Sequence, residues 1–523
     1  MGISNQRING LKENWKCALI CLGVAFANAQ YGFDVSAVGT FQSMPGFLMV
    51  FGYRDPTLKG GWGIATTDQQ LIASFLNVGT IVGLLFTALF GRYFGRRHGI
   101  WMGAVIGFIG CAIQIAATSI ASLCVGCAFM GASNAFFITF SNSYIVEYAP
   151  PQLRAVCSAL FAVTINIGTI LGAVVDERTS HLMNKQSYQI PLGFLFIFPA
   201  LLSVVVFFVP ESPRWLMLHN HREEAEKSLA FLRGDSLAPE FLQEELVEII
   251  RGVEEEKSNA SATAIVDIFK GTSLRRTLLC VAVVVSRASS GVWVFLSYGA
   301  YFYQQAGVGD VFKIGIYSMC VQMIGVIIGL YCAYKVWGRR IMILIGTGGA
   351  VISMFGPALG ATVAPNTAES AKAFLAFSFF YSIIYSGFAG SMTWPISAEV
   401  VNSRLRILTL SFATGVDYIF AWLTSFCSPY FINPTALDWG AKYCWIWGVS
   451  NLLTFACFWL YLPEMRGRSL EEIDELFEKR VPIRKFPEFE CQTSSEAHDI
   501  AMHEMEEAKA TVQHTDKDIQ IVK

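Results

Sequence analysis

Long apolar blocks alternate with short polar breaks along most of the chain. Blocks such as 101–117 and 192–209 approach the roughly 20 apolar residues that a helix needs to cross a bilayer. The blocks predict twelve membrane-spanning helices, and an even number places both chain ends on one side of the membrane. The predicted spans are 17–39, 69–90, 99–118, 121–142, 154–175, 191–209, 278–303, 312–334, 341–361, 373–396, 407–430 and 441–462. The expected fold class is an all-α membrane protein embedded in a lipid bilayer.

Composition agrees with this pattern. Of 523 residues, 54% are hydrophobic and 15% are charged, whereas a soluble domain carries about 25% charged residues. The first apolar block lacks a clean cleavage site and contains Asp34, which predicts a span and not a removed leader. A net charge of −2 gives no reason to expect a nucleic-acid partner.

The 13 cysteines are scattered through the apolar blocks. Cys124 and Cys127 form a CxxC pair inside a predicted span, without a second pair, which favours helix packing over metal binding or redox chemistry. The sequence offers no phosphate-binding loop, hydrolase motif or repeated channel filter. We therefore expect no enzymatic activity, no metal and no cofactor.

Positive charge is distributed unequally between the two sets of loops. The basic junctions hold Arg92, Arg96, Arg97, His98, Arg154, Arg275, Arg276, Lys335, Arg339, Arg340, Arg404 and Arg406. The intervening loops mix signs, as at Asp176, Glu177 and Arg178. Because Lys- and Arg-rich loops stay in the cytoplasm, both termini are predicted to be cytoplasmic.

This topology divides the chain into five parts. They are a cytoplasmic N-terminus (1–16), an N-terminal six-helix half (17–209), a cytoplasmic middle segment (210–274), a C-terminal six-helix half (275–462) and a cytoplasmic tail (463–523). Short amphipathic helices are expected at His221–Arg233 and Phe241–Lys257. A further helix is predicted from Ser469, which forms a capping box with Glu472.

Several charged motifs recur after about 250 residues. The repeats are Gly95-Arg96-Arg97 with Gly338-Arg339-Arg340, Glu147 and Arg154 with Glu399 and Arg406, and Pro210-Glu211 with Pro463-Glu464. Two six-span copies in the same orientation are the parallel-repeat arrangement of major facilitator proteins, which place the solute between the halves near the membrane midplane.

The recurring charges lie at the predicted cytoplasmic ends of helices. Arginines there are attracted to helix carboxyl termini, and glutamates can bridge neighbouring helix ends. One interpretation is a charge belt that holds the halves closed on the cytoplasmic side, and the other is that the charges only fix the topology. The candidate belt residues are Arg96, Arg97, Glu147, Arg154, Glu211, Arg214, Arg339, Arg340, Glu399, Arg406 and Glu464, with Glu147/Arg154 and Glu399/Arg406 as the favoured pairs.

Two motifs carry a specific resemblance. The PESPRWL run at Pro210–Leu216 and the PEMRGRSLEEI run at Pro463–Ile473 resemble signatures of the sugar porter family of the major facilitator superfamily. The residues Tyr144, Glu147, Pro150 and Arg154 resemble that family's pattern at the end of span four. The resemblance covers roughly residues 15–485, and the tail is similar to fungal members.

The resemblance implies a monomeric carrier that moves a sugar or sugar-like small solute by alternating access, with the plasma membrane as the default location. Family members use proton symport or facilitated diffusion, so a proton is a further candidate partner. One alternative is a carrier or exporter of a non-sugar small molecule, such as a cyclic acid or secondary metabolite. The other is a transporter-like nutrient receptor, against which a tail of about 60 residues argues.

Three charged residues stand out because they lie well inside predicted spans, where each costs about 3 kcal/mol or more and marks a functional hypothesis. Asp34 lies in span one, Arg287 in span seven and Asp417 in span eleven, and Arg287 follows Asp34 by 253 positions. Arg287 and Asp417 each lie eleven or twelve residues beyond a basic junction, about 18 Å along a helix. We hypothesise that they face the central cavity and neutralise each other. The alternative is a pair that only locks spans seven and eleven together.

Asp34 lies in Tyr31-Gly32-Phe33-Asp34, which resembles the family's span-one pattern. In proton-coupled members this aspartate is the coupling group, and a buried carboxylate suits that task because it can cycle between charged and neutral forms. The family usually places an arginine partner in span four, where this sequence has Cys127. Asp34 is therefore a candidate coupling residue without its usual partner.

The expected sugar site also departs from the family's pattern. Ala162 replaces a glutamine of span five, and the segment Arg287–Trp293 of span seven lacks the usual glutamines and asparagine. Aromatic side chains, which can stack on sugar rings, are retained. The candidate cavity residues are Arg287, Asp417, Trp394, Trp293, Tyr298 and Tyr385. An aromatic cavity with one Arg and one Asp suits a less hydroxylated or charged solute.

Overall fold

The structure is a computed structural model of the chain. It describes residues 15–489 apart from 57–60, 149–153, 234–245, 248, 251–252, 255–264, 307–309, 366, 403–404, 434–435, 467, 469 and 487. Within these residues, 12 helices are long and apolar enough to cross a membrane, which confirms the predicted number. The described strands form one hairpin, in which Tyr53–Arg54 pairs antiparallel with Trp62–Gly63.

The N-terminal half contains the first six spans. They are span one (Trp15–Ala25 and Ala27–Phe41), span two (Thr66–Tyr93), span three (Arg96–Ala116), span four (Ile120–Tyr148), span five (Arg154–Ser180) and span six (Gln186–Phe194 and Ile197–Phe208). A short helix, Pro45–Phe51, follows span one, and two helices, Pro213–Leu218 and Arg222–Arg233, follow span six.

The C-terminal half repeats this arrangement. Its spans are span seven (Gly271–Ser289 and Val292–Ala306), span eight (Val311–Lys335), span nine (Arg339–Val363), span ten (Ala368–Ile384, Tyr385–Gly390 and Ser391–Val400), span eleven (Arg406–Ile432) and span twelve (Cys444–Tyr461). Short 3₁₀ turns lie at Ile265–Phe269, Gly440–Tyr443 and Ile483–Lys485, and the tail contains the helix Leu470–Glu478.

The sequence located these helices well, with one correction. Asp176, predicted to lie in a loop, is on span five, which continues to Ser180. The hydroxyl groups of Thr179 and Ser180 donate to carbonyls of the preceding turn, so the helix runs past its first charges. The predicted helix at His221–Arg233 is present as Arg222–Arg233, and the tail helix begins at Leu470. Most of Phe241–Lys257, and the capping residue Ser469, lie outside the described residues.

Spans seven and ten are interrupted near the middle. Span seven breaks at Gly291, whose φ of +82° is a left-handed conformation that favours glycine. A Cβ atom there would also lie 2.9 Å from the ring of Trp447. Span ten contains a π-helix at Tyr385–Gly390, a form found often at functional sites. Both irregularities lie beside the charged pair described below.

Each half has its own apolar core, and the halves meet most closely on one side. Asn77 donates to Ser425 at 3.1 Å, and the amide of Asn433 donates to both Thr66 and Gln69 at 3.0 Å. Thr66 and Gln69 lie at the start of span two and Asn433 directly follows span eleven, while Asn77 and Ser425 lie deeper within the same two spans. Spans one and seven also approach closely there, since a Cβ on Gly39 would lie 2.4 Å from a carbonyl oxygen of span seven. We call this side the opposite face.

The other side, which we call the basic face, carries the arginines that begin spans three, nine and eleven. The tail helix packs here against the C-terminal half. Arg276 of span seven forms an ion pair with Asp474, lies 4.8 Å from the ring centre of Phe477, and donates to the Val400 carbonyl at 2.7 Å. The tail therefore connects the basic ends of spans seven and ten.

Candidate functional site

Arg287 lies in the last turn of the first helix of span seven, just before the break at Gly291. The partial negative charge of a helix carboxyl terminus stabilises a cation in this position. Its Nε atom lies 3.9 Å from Oδ2 of Asp417 in span eleven. The structure therefore brings together the two charges that the sequence paired, at the distance of a loose ion pair.

Two tryptophan rings flank this guanidinium. Its central carbon lies 5.7 Å from the ring centre of Trp293 and 5.5 Å from that of Trp394, and both distances are within cation–π range. The Arg287 side chain is 21% exposed, whereas Asp417 is completely buried. The arginine is thus held by aromatic rings while part of it remains accessible.

Asp417 has few stabilising contacts for a buried carboxylate. Neither of its oxygens accepts a well-formed hydrogen bond from a described residue. Burying an ionised carboxylate is costly unless a cation or hydrogen-bond donors compensate. The charge state of Asp417 therefore depends on whether Arg287 stays beside it.

Aromatic side chains from other spans complete the cluster. Tyr31 of span one packs against a group that includes Trp293 and Tyr418, whose rings lie 6.3 Å apart. Tyr385 of span ten lies within electrostatic range of both Arg287 and Asp417. The Trp293 Nε1 and the Tyr385 hydroxyl are buried without a hydrogen-bond partner among the described residues.

Tyr31 and Tyr418 were not among the residues singled out from the sequence. A weak signal for both existed, because Tyr31 is three residues before Asp34 and Tyr418 directly follows Asp417. Tyr298 lies apart from the cluster, and its hydroxyl donates to the Ser425 carbonyl at 2.7 Å, at the contact between the halves. Its role there is to pack spans seven and eleven near the opposite face.

A small cavity of about 70 Å³ lies beside this cluster, between the two halves. Its walls come from spans one and five on one side and spans seven, eight and ten on the other. Val292, Tyr381 and Ser386 line it and are sequence or ring neighbours of the cluster residues. None of the six predicted cavity residues lines this cavity. Their cluster therefore lies next to the cavity without forming its wall.

Asp34 occupies a different environment in the N-terminal half. It is completely buried, and Oδ2 accepts a hydrogen bond from the Asn134 amide at 2.7 Å. Gln30 donates to the Asn134 side-chain oxygen and to Ser133, both at 3.1 Å. An amide network therefore holds Asp34 where the family usually has an arginine.

Cys127 of span four stands at the sequence position of that arginine, and its side chain packs against span three. Gln114 donates to its sulfur at 3.4 Å, and Cys124 and Cys127 are both buried. The described residues contain no group of three or more side chains placed to hold a metal ion.

A third buried carboxylate was missed by sequence reasoning. Asp176 is completely buried in span five, and neither oxygen has a hydrogen-bond partner among the described residues. Its nearest polar side chain is that of Thr40, which lines the small cavity. Because Asp176 stands at the end of an apolar block, the sequence pattern predicted a loop residue at this position.

On the basic face of the N-terminal half, Glu147 and Glu211 both bind the start of span three. Glu147 pairs with Arg96 at 2.8 Å and accepts a hydrogen bond from Ser212. Glu211 accepts from the backbone nitrogen of Arg97 at 3.2 Å and so caps span three. The side chain of Arg154, the partner predicted for Glu147, lies outside the described residues.

The C-terminal half repeats this arrangement. Glu399 pairs with Arg339 at 2.8 Å, and Arg406 adds a second favourable charge nearby. Glu464 lies against Gly338 at the start of span nine, as Glu211 lies against Gly95 at the start of span three. Each glutamate thus has an arginine of a neighbouring span as its ion-pair partner, and Arg406, predicted for Glu399, lies within electrostatic range of it.

The remaining belt arginines bind backbone or face outward. Arg97 donates to the carbonyls of Val206 and Phe207 at 3.1 and 3.0 Å, and Arg340 donates to that of Trp459 at 2.7 Å. Arg214 is exposed. The belt pairs at Glu147 and Glu399 each join helices of one half, so in this structure they brace the halves internally.

Comparison with known proteins places this architecture. A family model described as "Sugar (and other) transporter" matches residues 20–477. The major facilitator-type transporter ecdD of Aspergillus rugulosus is 28% identical over 477 residues, which cover 88% of this chain and 87% of that protein. The general alpha-glucoside permease of Saccharomyces cerevisiae is 28% identical over 485 residues, covering 90% of this chain and 77% of that protein.

A third relative and one solved structure extend the comparison. The high glucose sensor RGT2 of Saccharomyces cerevisiae is 28% identical over 483 residues, and the match spans 62% of its length. The inward open conformation of the xylose transporter XylE from E. coli has a TM-score of 0.71 at 20% identity, covering 88% of this chain and 99% of XylE. This likeness confirms the major facilitator fold of two six-helix halves. Because the family match extends over most of its length, the chain belongs to the sugar (and other) transporter family.

Proposed function

We propose that this protein carries a sugar-like solute across a membrane by alternating access, and that the solute binds between the halves beside Arg287, Asp417 and Trp394. The observation that carries this proposal is the cluster itself. It holds a cation, a carboxylate and two tryptophan rings at the meeting of the halves, with unpartnered buried donors on Trp293 and Tyr385. Aromatic rings that stack on a solute, together with a few directed polar groups, are typical of small-molecule sites.

Alternating access needs contacts that can be made on one side and broken on the other. The hydrogen bonds between Asn433, Thr66 and Gln69 join the halves at the opposite face. At the basic face, the ion pairs of Glu147 and Glu399 join helices within one half. We propose that the charge belt exchanges partners when the halves rock, so that Glu147 and Glu399 act in the cytoplasmic gate.

The orientation follows from the same charges. We propose that the basic face is cytoplasmic, since arginine-rich junctions stay on that side, and that both termini are cytoplasmic with it. The plasma membrane is the proposed location. Fusion of a pH-sensitive fluorescent protein to either terminus would test the orientation. A terminus that responds to external acid would contradict it.

Proton coupling through Asp34 is a separate proposal. Asp34 is buried near the middle of span one, and its partner Asn134 is neutral, so protonation would not leave an unpaired cation. Uptake should be measured against external pH in the natural protein and in Asp34→Asn. Loss of the pH dependence in the variant is expected, and an unchanged pH dependence would remove Asp34 from the coupling step.

The central test is a solute-panel uptake assay in a host that lacks hexose transporters, run at two external pH values. The panel should compare the natural protein with the exchange variant Arg287→Asp/Asp417→Arg. Folding with loss of uptake is expected, because an exchanged pair still neutralises itself but presents its charges to the solute in reversed positions. Full uptake by the exchange variant would show that the pair only locks spans seven and eleven together.

A second candidate function is supported by one relative. The protein RGT2 is named as a glucose sensor, and this chain matches it over 483 residues. A sensor would bind solute and change conformation without accumulating it. Binding to the purified protein together with absent uptake in the same host would favour this candidate over a carrier.

A further inference from the structure

Arg287 has unused hydrogen-bonding capacity. A guanidinium has five N–H donors and no acceptor. Among the described residues, no acceptor lies within hydrogen-bond geometry of this side chain, and Asp417 at 3.9 Å is beyond that range. About a fifth of the side chain is exposed. The donors therefore point to a group that the protein itself does not supply.

Other arginines of the same structure show what a structural ion pair looks like here. Arg96 and Arg339 each contact a glutamate at 2.8 Å, and Arg96 makes two hydrogen bonds to one Glu147 oxygen. The Arg287–Asp417 pair is more than 1 Å longer and lacks a hydrogen bond. A pair whose only task was to lock two spans would gain from the shorter geometry, which this fold achieves elsewhere.

The surroundings of Arg287 favour one kind of solute group. Trp293 Nε1 is a donor without an acceptor among the described residues, and the Tyr385 hydroxyl, which lies near Ser290, makes no hydrogen bond of standard geometry with them. A neutral sugar hydroxyl would use such a site incompletely, because each hydroxyl must also place its own hydrogen. A carboxylate only accepts hydrogen bonds, and its two oxygens match the fork of a guanidinium.

We propose that the solute carries a carboxylate, as in a sugar acid or a polyhydroxylated ring acid, and that this carboxylate takes Arg287 from Asp417 when the solute binds. This inference rests on the proposed solute site and names the class of solute. The two tryptophan rings then contact the ring of the solute. Without solute, Arg287 is loosely paired with Asp417, and with solute bound its partner is the carboxylate of the solute.

The exchange has a consequence for Asp417. The charged or titratable groups that face it are Arg287 of span seven, Tyr385 of span ten and Tyr31 of span one, and Tyr418 lies beside it in span eleven. None of them except Arg287 carries positive charge. Once the solute occupies Arg287, a buried Asp417 without a cation binds a proton from solvent. Solute anion and proton then move together without net charge.

The test compares acids with their neutral counterparts on the purified full-length protein. The probe pairs are D-glucuronate with D-glucose, D-galacturonate with D-galactose, and quinate with myo-inositol. Binding is measured as thermal stabilisation of the protein in detergent, and transport is measured as uptake into proteoliposomes. At least one acid should bind the natural protein about 10- to 100-fold more tightly than its neutral counterpart, the range expected for a charge-assisted hydrogen-bonded pair.

Variants of the pair sharpen the test because the exchange predicts opposite effects. Arg287→Gln should weaken binding of the acid by about 10- to 100-fold. Asp417→Asn should tighten it by about fivefold, since it removes a competing negative charge. The double variant Arg287→Gln/Asp417→Asn carries no unpaired charge, guards against misfolding of either single variant, and should prefer the neutral counterpart.

Each outcome decides the proposal. The carboxylate assignment would be overturned if the natural protein bound every neutral probe more tightly than its acid, or if both single variants lost acid binding equally. Uptake of the neutral probes in that case would still support the proposed carrier function. Binding of an acid that depends on Arg287, without uptake into proteoliposomes, would support the assignment and contradict the carrier. Absence of both binding and uptake for all six probes would count against both proposals.

Discussion

The two halves use equivalent positions of span one and span seven for opposite chemistry. Asp34 in the N-terminal half is buried in an amide network, with Asn134 donating at 2.7 Å. Arg287, 253 positions later, faces a carboxylate 3.9 Å away and two tryptophan rings. One half gives one oxygen of its carboxylate a short hydrogen bond from a neutral amide and leaves Asp34 Oδ1 without a partner among the described residues. The other half pairs its charged residue loosely with an opposite charge.

This difference separates stability from function within one repeated fold. A buried group with short, well-formed hydrogen bonds is expected to contribute mainly to a defined packing. A buried charge that remains poorly paired costs stability, which is typical of sites that complete their bonding with a ligand. The comparison therefore predicts that the solute contacts the Arg287 cluster between the halves, and that the amide network around Asp34 holds the helices that surround this proposed coupling group.

The largest expected effect breaks the charged pair on one side only. Arg287→Leu should cost about 3–5 kcal/mol in the free energy of unfolding, because Asp417 would remain buried without a cation. Asp34→Leu should cost about 1–3 kcal/mol, because it leaves only a neutral amide without its acceptor. Unfolding of both variants by SDS in mixed micelles measures the two losses.

A double variant serves as the control for this prediction. Arg287→Leu/Asp417→Leu removes both charges and should recover most of the stability, as replacement of whole buried ion pairs often does. Equal losses for Arg287→Leu and Asp34→Leu would contradict the view that the two sites differ in kind.

The next effect sharpens the account of the N-terminal network. Asn134→Leu removes the donor to Asp34 and the acceptor of Gln30, so two buried polar groups lose partners. We expect a loss of about 2 kcal/mol in the free energy of unfolding. Asn166→Leu is the matched control, because the Asn166 amide donates to the Ala162 carbonyl of its own helix and connects no other span. A loss no larger than in this control would show that the network does not stabilise span packing.

A smaller effect concerns the contact between the halves at the opposite face. Asn433→Ala removes hydrogen bonds to Thr66 and Gln69 and should shift the conformational equilibrium toward opening of that face about fivefold. Spin labels at the exposed positions Leu71 and Tyr430, in a background depleted of native cysteines, would report the change as a longer distance. Thr414→Val, whose hydroxyl bonds only its own helix at Leu410, should leave the distance distribution unchanged.

The smallest effect compares the two helix caps of the basic face. A Cβ atom on Gly95 would overlap the Glu211 carboxylate, and one on Gly338 would approach the Glu464 carboxylate to 2.3 Å. Gly95→Ala and Gly338→Ala should therefore displace these caps and cost about 1 kcal/mol each. Thermal unfolding would measure this cost. It should disappear for Gly95→Ala in a Glu211→Ala background, and persistence of the cost there would assign it to backbone strain.

Sequence periodicity and motifs were sufficient for the fold. Twelve apolar blocks predicted twelve spans, and the runs at Pro210–Leu216 and Pro463–Ile473 indicated the family. The number of residues between each charge and its basic junction also predicted that Arg287 and Asp417 lie at similar depth in the membrane, and the structure places them side by side. These features follow from local composition and helix geometry, which a sequence expresses directly.

Partners across helices were harder to predict. Spacing along one chain segment led to Arg154 as the partner of Glu147, and the structure adds Arg96 of span three, which that spacing could not indicate. Asp176 was assigned to a loop because charges usually end a span, yet it is buried. Both features depend on the rotation of a helix about its axis, which decides which neighbour a side chain meets and which hydropathy does not record.

The π-helix at Tyr385–Gly390 bears on how this chain should be aligned with its relatives. A π-turn accommodates more residues than an α-turn over the same backbone rise, and one residue corresponds to about 100° of rotation in an α-helix. Trp394 follows this turn, and its ring centre lies 5.5 Å from the Arg287 guanidinium carbon. A homologue with one residue fewer between Tyr385 and Trp394 would present a different residue to the arginine. Insertions and deletions within span ten therefore help to indicate which relatives bind the same solute.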